Sequence, residues 1–589
     1  MCGLFGFAVP GADTLPASMI DAGYTALAGL AHRGPDANRA QVFGNVFLGH
    51  TRLSILDLSD AGAQPMVSRN ERVAIAVNGE IYNHRQLRAA LNDVQFQSQS
   101  DSEVLLHAYP RWGLDRTVAA LDGMYAAAVY DADAQVVHLL RDRVGIKPLY
   151  LAQAHHRGIG VVAWASELPA LKRFCDPLSI DPTAIADFAA LRYIPAPKTL
   201  FRDITQVEAA HVLTLALNNG TTSSKRYWAL PTELRADDDD RCAAAIREAV
   251  EVSVEEQLMA DVPVGVFLSG GIDSSIIAQC AAAKRSDLTA YTVGFDEASH
   301  DETRAAAAWA AHLGLQHQSE QLSLNNVQDL DAQMLAWFGQ PFGDLSAVPT
   351  ARLCGVTHQS SVVALAGDGA DELFGGYRWY QRFARFRRGN AWVPSATNLD
   401  LRFYRPPVNT VQKLLNRLAL WGQFDPVQLY GAINSNLLSS ELAALGNWLE
   451  LPRDYDPHWA LRRYYRPELG LRRALQYMEF HTWLPDDILT KVDRTSMAVS
   501  LEVRVPFLSR ALCELAFSLP ERFHYRGGEL KGGLKYAFRD DLPKALRKRP
   551  KRGFSIPHHA WKDRLLEGHP GYVHYLLARL QRTGFERYR

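Results

Sequence analysis

Apolar and polar positions alternate in short runs through the first 220 residues. Val73-Ala-Ile-Ala-Val77, Ala126-Ala-Ala-Val-Tyr130 and Val136-Val-His-Leu-Leu140 are each bounded by Gly, Asn or Asp, the mark of short strands closed by turn residues. Helical stretches near residues 16–31 and 102–112 interrupt them. This half reads as α+β with mainly antiparallel strands. Beyond it the pattern changes. Val262-Pro-Val-Gly-Val-Phe-Leu268 is a buried-strand run, followed by a Gly turn and the helical Ile276-Ile-Ala-Gln-Cys-Ala-Ala-Ala283. Leu288–Gly294 predicts a second strand ahead of a helix from about Glu302 to Leu313. Val362–Ala366 predicts a third strand, ending in a Gly-Asp turn. Strands alternating with helices and ending in polar Gly turns argue a doubly wound parallel sheet, whose ligands sit at the carboxyl ends of the strands. Residues 380–480 are rich in aromatics and Arg and read as mostly helical.

The two patterns predict a first domain over 1–220, a linker over 221–240 and a second domain over 241–589. Asn218-Asn-Gly220 is a turn, and Asp237-Asp-Asp-Asp240 reads as the flank of a helix start rather than a metal site. A chain of 589 residues with 47% hydrophobic and 22% charged residues has the composition of a multi-domain globular protein. Lys+Arg number 63 and Asp+Glu 64, a net charge of −1, so no nucleic-acid partner is expected. The basic stretch Lys544–Arg552 reads as a segment near a nucleotide's phosphates. No uncharged apolar run approaches the ~18 residues of a membrane span. The amino-terminal segment lacks the basic region of a signal peptide and is interrupted by Pro10 and Gly11. Six scattered cysteines without a CxxC pair predict reduced thiols, a cytoplasmic home and no structural zinc.

Ser269-Gly-Gly-Ile-Asp-Ser-Ser275 joins a predicted strand to a helix. Gly270 and Gly271 let the backbone come close to an anion, and the amides of the helix start then point at it. Ser269, Ser274 and Ser275 add hydroxyl donors. Asp273 would repel phosphate, so it calls for a divalent cation. No GxxxxGK[ST] loop occurs, and SGG alone would be a plain capped turn. Gly367-Asp-Gly-Ala-Asp-Glu-Leu-Phe-Gly-Gly-Tyr377 packs three acids and four glycines into eleven residues. Carboxylates this close need a cation or a proton-transfer role; an acidic helix start is the plainer alternative. Asp371 is the second magnesium ligand expected beside Asp273, Asp368 a general base for the attacking amine, and Glu372 support for the network.

Cys2 follows the initiator Met. With Met1 removed, its own α-amine titrates near neutrality and serves as base for the thiol. Asn78-Gly79 offers a side-chain amide and a backbone N–H, the parts of an oxyanion hole, though alone it is also a common hairpin turn. Arg52 and Asp101 suit the carboxylate and amine of a free amino acid, though each alone reads as a surface pair.

Cys2-Gly-Leu-Phe-Gly6, His32-Arg-Gly-Pro-Asp36, Arg52-Leu-Ser-Ile55, Asn78-Gly-Glu-Ile-Tyr-Asn83 and Arg141–Tyr150 resemble class II glutamine amidotransferases, built on an Ntn-hydrolase-like sandwich of antiparallel sheets with helices outside. The Ser269 loop resembles the pyrophosphate loop of ATP pyrophosphatases that adenylate carboxylates. With the Gly367 turn, Leu484–Met497, Ser500–Leu508 and Lys551–Pro557, nearly the whole chain resembles the glutamine-hydrolysing asparagine synthetase family, least over 380–480.

The resemblance implies that Cys2 forms a γ-glutamyl thioester with Asn78 and Gly79 holding the oxyanion, and that Arg52, Gly79, Glu80 and Asp101 hold glutamine. Ammonia then passes inside the protein to a second site. There Leu268, Val293, Ala366 and Gly367 contact the adenosine of ATP and Ser269–Ser275 cradle the pyrophosphate, with Mg2+ at Asp273 and Asp371. Lys491 and Arg494 lie where the family places the cation of the adenylation step, Arg494 fitting better, with Lys535 a lesser helper. Aspartate is the implied acceptor; a sugar uronic acid or a natural-product precursor is the alternative, and a non-catalytic binding homologue a third reading. The resemblance also allows a homodimer. In two places the chain departs from the family. Ser509 stands where Asp is usual, which puts support of the acceptor pocket in question, and Ala366 stands where Ser is frequent.

Overall fold

The computed structural model describes residues 2–235, 237–297, 301–322, 330–390, 425–434, 439–452, 454–549, 569 and 572–583. Among them, the first half holds two six-stranded antiparallel sheets. One runs Ile204–Gln206, Tyr150–His156, Ile159–Ala165, Gly3–Ala8, Val46–Arg52, Ala37–Phe43 from edge to edge. The other runs Thr222–Arg226, His211–Ala216, Val136–Arg141, Gly123–Asp131, Val73–Ile81, Met66–Val67. The two-residue period decides their packing. Leu4, Leu48 and Trp164 of the first sheet meet Ala76, Ala128 and Leu139 of the second in one buried cluster. Phe5, Phe7 and Phe47 face the other way, onto the helix Ala17–Ala28. Val73, Ile75 and Val77 likewise face the helix Glu103–Ala120. The layers are therefore helix, sheet, sheet, helix, as the resemblance implied. Each fully buried Phe or Leu contributes roughly 1.5–3 kcal/mol.

The second half is built on a five-stranded parallel sheet in the order Gln316–Leu322, Thr289–Phe295, Val264–Phe267, Val363–Leu365, Glu502–Arg504. The helices Ile272–Ala282, Thr303–Leu313 and Ala347–His358 supply the crossovers. The chain first winds outward from Val264–Phe267 in one direction, then returns to its other side at Val363–Leu365. The switch point thus lies between those two strands, where an open parallel sheet leaves a crevice at its carboxyl edge.

The two edge strands carry no apolar signal. Gln316–Leu322 is polar and largely exposed, and Glu502–Arg504 buries two charges. Asp238 caps the helix Asp239–Gln257, accepting from the Arg241 amide at 2.9 Å, so the acidic run is a helix flank. Strand Thr222–Arg226 carries the second sheet past Gly220. Within 380–480 the described segments include the helices Arg378–Asn390, Pro426–Asn434, Ser439–Trp448, Trp459–Tyr464 and Leu471–His481. One buried cluster runs from Phe5 through Leu168 and Phe188 to Ile246, Ile277 and Leu365, so the halves share a core. Among the described residues no helix is long and apolar enough to cross a membrane.

Candidate active sites

Cys2 opens the first strand of the sandwich and is 6% exposed. Its surroundings are polar. Its amide donates to Asn78 Oδ1 at 3.0 Å, its carbonyl accepts from Arg33 Nε at 3.1 Å, and its sulfur lies 4.0 Å from the Leu53 carbonyl. Burial pushes the thiol up, while the positive chain terminus pulls it down. Asn78 Nδ2 reaches Ser166 Oγ at 3.4 Å. Gly79 has φ +146, and a Cβ there would come 1.9 Å from the Met124 carbonyl oxygen, so only glycine allows the neighbouring strand this close.

Glu80 and Asp101 are both buried beside this pair of residues. Burial pushes Glu80 well up, reinforced by Asp101 and Glu502, and burial raises Asp101. Asp101 Oδ2 accepts from the Ile81 amide at 2.6 Å. Arg52 donates to the Ser59 carbonyl at 2.7 Å and to that of Asp57, and so braces the loop that follows Leu53. Cys2, Asn78, Glu80 and Asp101 thus come together, with Arg52 one residue from the carbonyl that meets the sulfur.

Two groups at this site come from the far end of the chain. Arg504 donates to Glu502 Oε1 at 2.6 Å and lies 3.4 Å from Glu80 Oε1. Glu502 is held ionised against burial by the chain terminus, Arg504 and Lys147. Beneath Cys2, the fully buried Arg33 donates to Glu167 at 2.7 Å and to both oxygens of Asp493 at 2.9 Å. Arg33 lies in the His32–Asp36 motif, yet no role followed from sequence, because its partners are remote in the chain.

The second site stands at the switch point. The helix Ile272–Ala282 begins inside the serine-glycine loop, which is tied within itself. Ser269 N donates to Ser274 Oγ at 3.0 Å, Gly271 N to Ser269 Oγ at 3.1 Å, and Ser275 Oγ to the Gly271 carbonyl at 2.7 Å. The Gly367 turn presses on this loop: a Cβ on Gly367 would lie 2.9 Å from the Ser274 amide and 3.0 Å from Asp273. Leu268, Val293 and Ala366 lie buried at three adjacent strands of the sheet. The Ala366 amide donates to the Arg504 carbonyl at 2.8 Å, a main-chain contact that does not depend on Ser at this position. Arg549 crosses the loop and donates to the Gly270 carbonyl at 3.1 Å; of the basic stretch, residues 550–552 lie outside the described residues, as does Lys551–Pro557.

Asp273 and Asp371 are brought together by Lys531, whose Nζ is 2.5 Å from each carboxylate. Sequence reasoning missed this lysine. Lys535, one helical turn on, pairs instead with Glu529 at 2.7 Å. Glu372 is buried, bonded by the Tyr377 hydroxyl and pushed up to about 7 by burial and by Asp371.

Lys491 and Arg494, both expected at the adenylation step, face different ways. The helix Thr490–Met497 lies between the halves. It sends Lys491 to Asp344 Oδ2 at 3.1 Å and Ser346 Oγ at 2.9 Å, within the field of Asp368. Arg494 turns to the other half, donating to Tyr150 Oη at 3.2 Å and the Ser166 carbonyl at 3.0 Å, with Glu167 at 3.2 Å. Ser509 accepts from the Leu512 amide at 3.4 Å and caps the helix Arg510–Ser518. Ser and Asp cap helices about equally well.

Comparison with known proteins agrees with this division. A family model described as asparagine synthase matches residues 245–579, and one described as a glutamine amidotransferase domain matches residues 1–228. The chain is similar to the glutamine-hydrolysing asparagine synthetase 1 of Bacillus subtilis (strain 168), at 31% identity over 546 residues, 90% of this chain and 83% of that protein. It is similar to asparagine synthetase 3 of the same organism at 29% over 557 residues, covering 90% and 83%. It is also similar to the amidase chry2 of Gibberella zeae, at 28% over 579 residues, covering 89% and 84%.

Proposed function

The chain belongs to the asparagine synthase family and is a glutamine-dependent amidotransferase and ATP-dependent ligase, and on that premise we propose that it makes asparagine from aspartate, glutamine and ATP, releasing glutamate, AMP and pyrophosphate. Residues 1–220 were expected to form the glutaminase and 241–589 the synthetase; the strand Thr222–Arg226 and the helix Asp239–Gln257 narrow the joining segment to 227–238. The observation that carries the reading is the contact of the Gly367 turn with the Ser269–Ser275 loop at the switch point of the parallel sheet.

In the glutaminase, Cys2 attacks the glutamine amide once Met1 is removed. The bond from the Cys2 nitrogen to Asn78 Oδ1 then holds the α-amine beside the sulfur, where it takes the thiol proton and later protonates the leaving ammonia. Asn78 Nδ2 and the Gly79 amide are the donors for the oxyanion. Glu80 and Asp101 take the ammonium of glutamine, and Arg52 its carboxylate.

In the synthetase, the loop amides and hydroxyls of Ser269, Ser274 and Ser275 receive the pyrophosphate as the acceptor carboxylate attacks the α-phosphorus. Lys491 neutralises the charge that develops there. Asp368 takes a proton from the attacking ammonia. Asp273 and Asp371 would hold Mg2+. Their hard oxygens suit it, and the lysine ammonium 2.5 Å from each carboxylate supports a positive charge at this position. Among the described residues no three His, Cys, Asp or Glu side chains gather as a metal cage. Bound there, Mg2+ neutralises charge on the phosphates.

The test is AMP formation with ammonia supplied, across a panel of acids. AMP with aspartate supports the reading; AMP with another acid and none with aspartate overturns it. A different acceptor carboxylate is the second reading, favoured by the similarity to an amidase at equal coverage. The six unpaired cysteines support a cytoplasmic location.

A further inference from the structure

Lys531 stands in the left-handed region, φ 54, at the head of the helix Gly532–Ala537, and is 4% exposed. Its ammonium lies 2.5 Å from Asp273 Oδ2 and 2.5 Å from Asp371 Oδ1. Gly376, at the close of the acidic turn, leaves room for both the lysine and Asp371. A Cβ on Gly376 would fall 1.7 Å from Asp371 Oδ1 and 2.2 Å from Lys531 Cε. The glycine is therefore required where the Asp371 carboxylate and the Lys531 side chain meet.

An ammonium and a divalent ion cannot both occupy the space between the same two carboxylates without like-charge repulsion. We propose that Lys531 holds the divalent-cation position in the nucleotide-free protein and leaves it for the phosphates when ATP and Mg2+ enter together. A metal entering alone would push a buried ammonium off both carboxylates, leaving it only Glu372, which burial and Asp371 favour in its neutral form, and this is costly. A metal entering with ATP supplies new anions, because Asp273 belongs to the Ser269–Ser275 loop that would receive the phosphates. The charge balance of the site is then kept on both sides of the exchange. Lys531 thereby makes metal binding conditional on nucleotide. The inference rests on the reading of that loop as the ATP site.

The test is Mn2+ titration of the full chain, followed by electron paramagnetic resonance, without nucleotide and then with a non-hydrolysable ATP analogue. Without nucleotide, Lys531→Gln is expected to bind Mn2+ at least about tenfold more tightly than the unaltered protein, and Lys531→Arg, which keeps the charge, to match the unaltered protein. Adding Asp371→Asn to Lys531→Gln is expected to remove the gain. With the analogue, Lys531→Gln is expected to bind the nucleotide more weakly. Thermal melting of each variant identifies any that fails to fold, and the arginine variant keeps the comparison open in that case. Equal nucleotide-free Mn2+ affinity in the glutamine variant and the unaltered protein overturns the proposal. Failure of the ATP reading gives a different result: no analogue binding to any form, with the Mn2+ difference intact.

Discussion

Arg504 Nη2 lies 3.4 Å from Glu80 Oε1, a contact between the edge strand of the parallel sheet and a strand of the amino-terminal sandwich. The same Arg504 accepts the Ala366 amide through its carbonyl and holds the Gln257 and Met259 carbonyls at 2.7 and 2.6 Å through Nη1. One buried residue thus touches Glu80 of the sandwich and the main chain leading into the Gly367 turn. Replacing Arg504 with Met removes the guanidinium between the buried Glu80 and Glu502, at a cost of about 3–5 kcal/mol. A Glu80→Gln, Arg504→Met double variant is expected to lose less than the sum of the single losses. Denaturant melts arranged as a double-mutant cycle measure this; strict additivity would show that the pair does not interact.

Cys2→Ala is expected to abolish glutamine-dependent AMP formation and leave ammonia-dependent AMP formation within about twofold, because the two sites have separate chemistry in separate halves. Parallel assays with each nitrogen source check it. Loss of both activities would argue that Cys2 also supports the synthetase.

Gly79→Ala forces a Cβ to 1.9 Å from the Met124 oxygen at φ +146. Strain of this kind, at a buried strand pairing, is expected to cost about 4 kcal/mol or more. A fall in soluble yield or melting temperature would register it. An unchanged melting temperature with lost glutaminase activity would assign the glycine a role in catalysis alone.

Glu479 is buried, accepts from Tyr430 Oη at 2.5 Å, Trp379 Nε1 at 2.7 Å and the Tyr380 hydroxyl, and is pushed up to about 8, burial outweighing those donors. Its folded value lies above the ordinary carboxyl value of about 4.3. The folded state therefore keeps a proton that the unfolded chain releases, and stability falls as pH rises from about 4.3 to about 8, by ~1.4 kcal/mol per unit at most. Glu479→Gln is expected to flatten this part of the melting profile between pH 5.5 and 8. A slope equal to that of the unaltered protein would place the titration elsewhere.

Ser509→Asp restores the usual family residue at a helix cap. It is expected to change stability by no more than about 0.5 kcal/mol and to leave the acceptor preference as it was, while Ser509→Ala costs about 1 kcal/mol. A changed acceptor profile in the Asp variant would return position 509 to the acceptor pocket.

Local patterns alone pointed to strands at Val73–Val77, Ala126–Tyr130 and Val262–Leu268, which lie in or around the observed Val73–Ile81, Gly123–Asp131 and Val264–Phe267, and to the serine-glycine loop and the acidic turn. Alternation, unbroken apolar runs and glycine turns are properties of neighbouring residues. The meeting of Cys2 with Asn78 was expected from the family's order of motifs. The edge strands Gln316–Leu322 and Glu502–Arg504 were not legible, since polar or buried-charge edges carry no apolar period. Tertiary structure decided which cation faces which site. Lys491 and Arg494 are three residues apart on one helix, and only the packing of that helix between two halves turns one to Asp344 and the other to Glu167. Tertiary structure also chose Lys531 over Lys535, because an ammonium's partner is set by which carboxylates fold around it, and those carboxylates stand in segments far away along the chain.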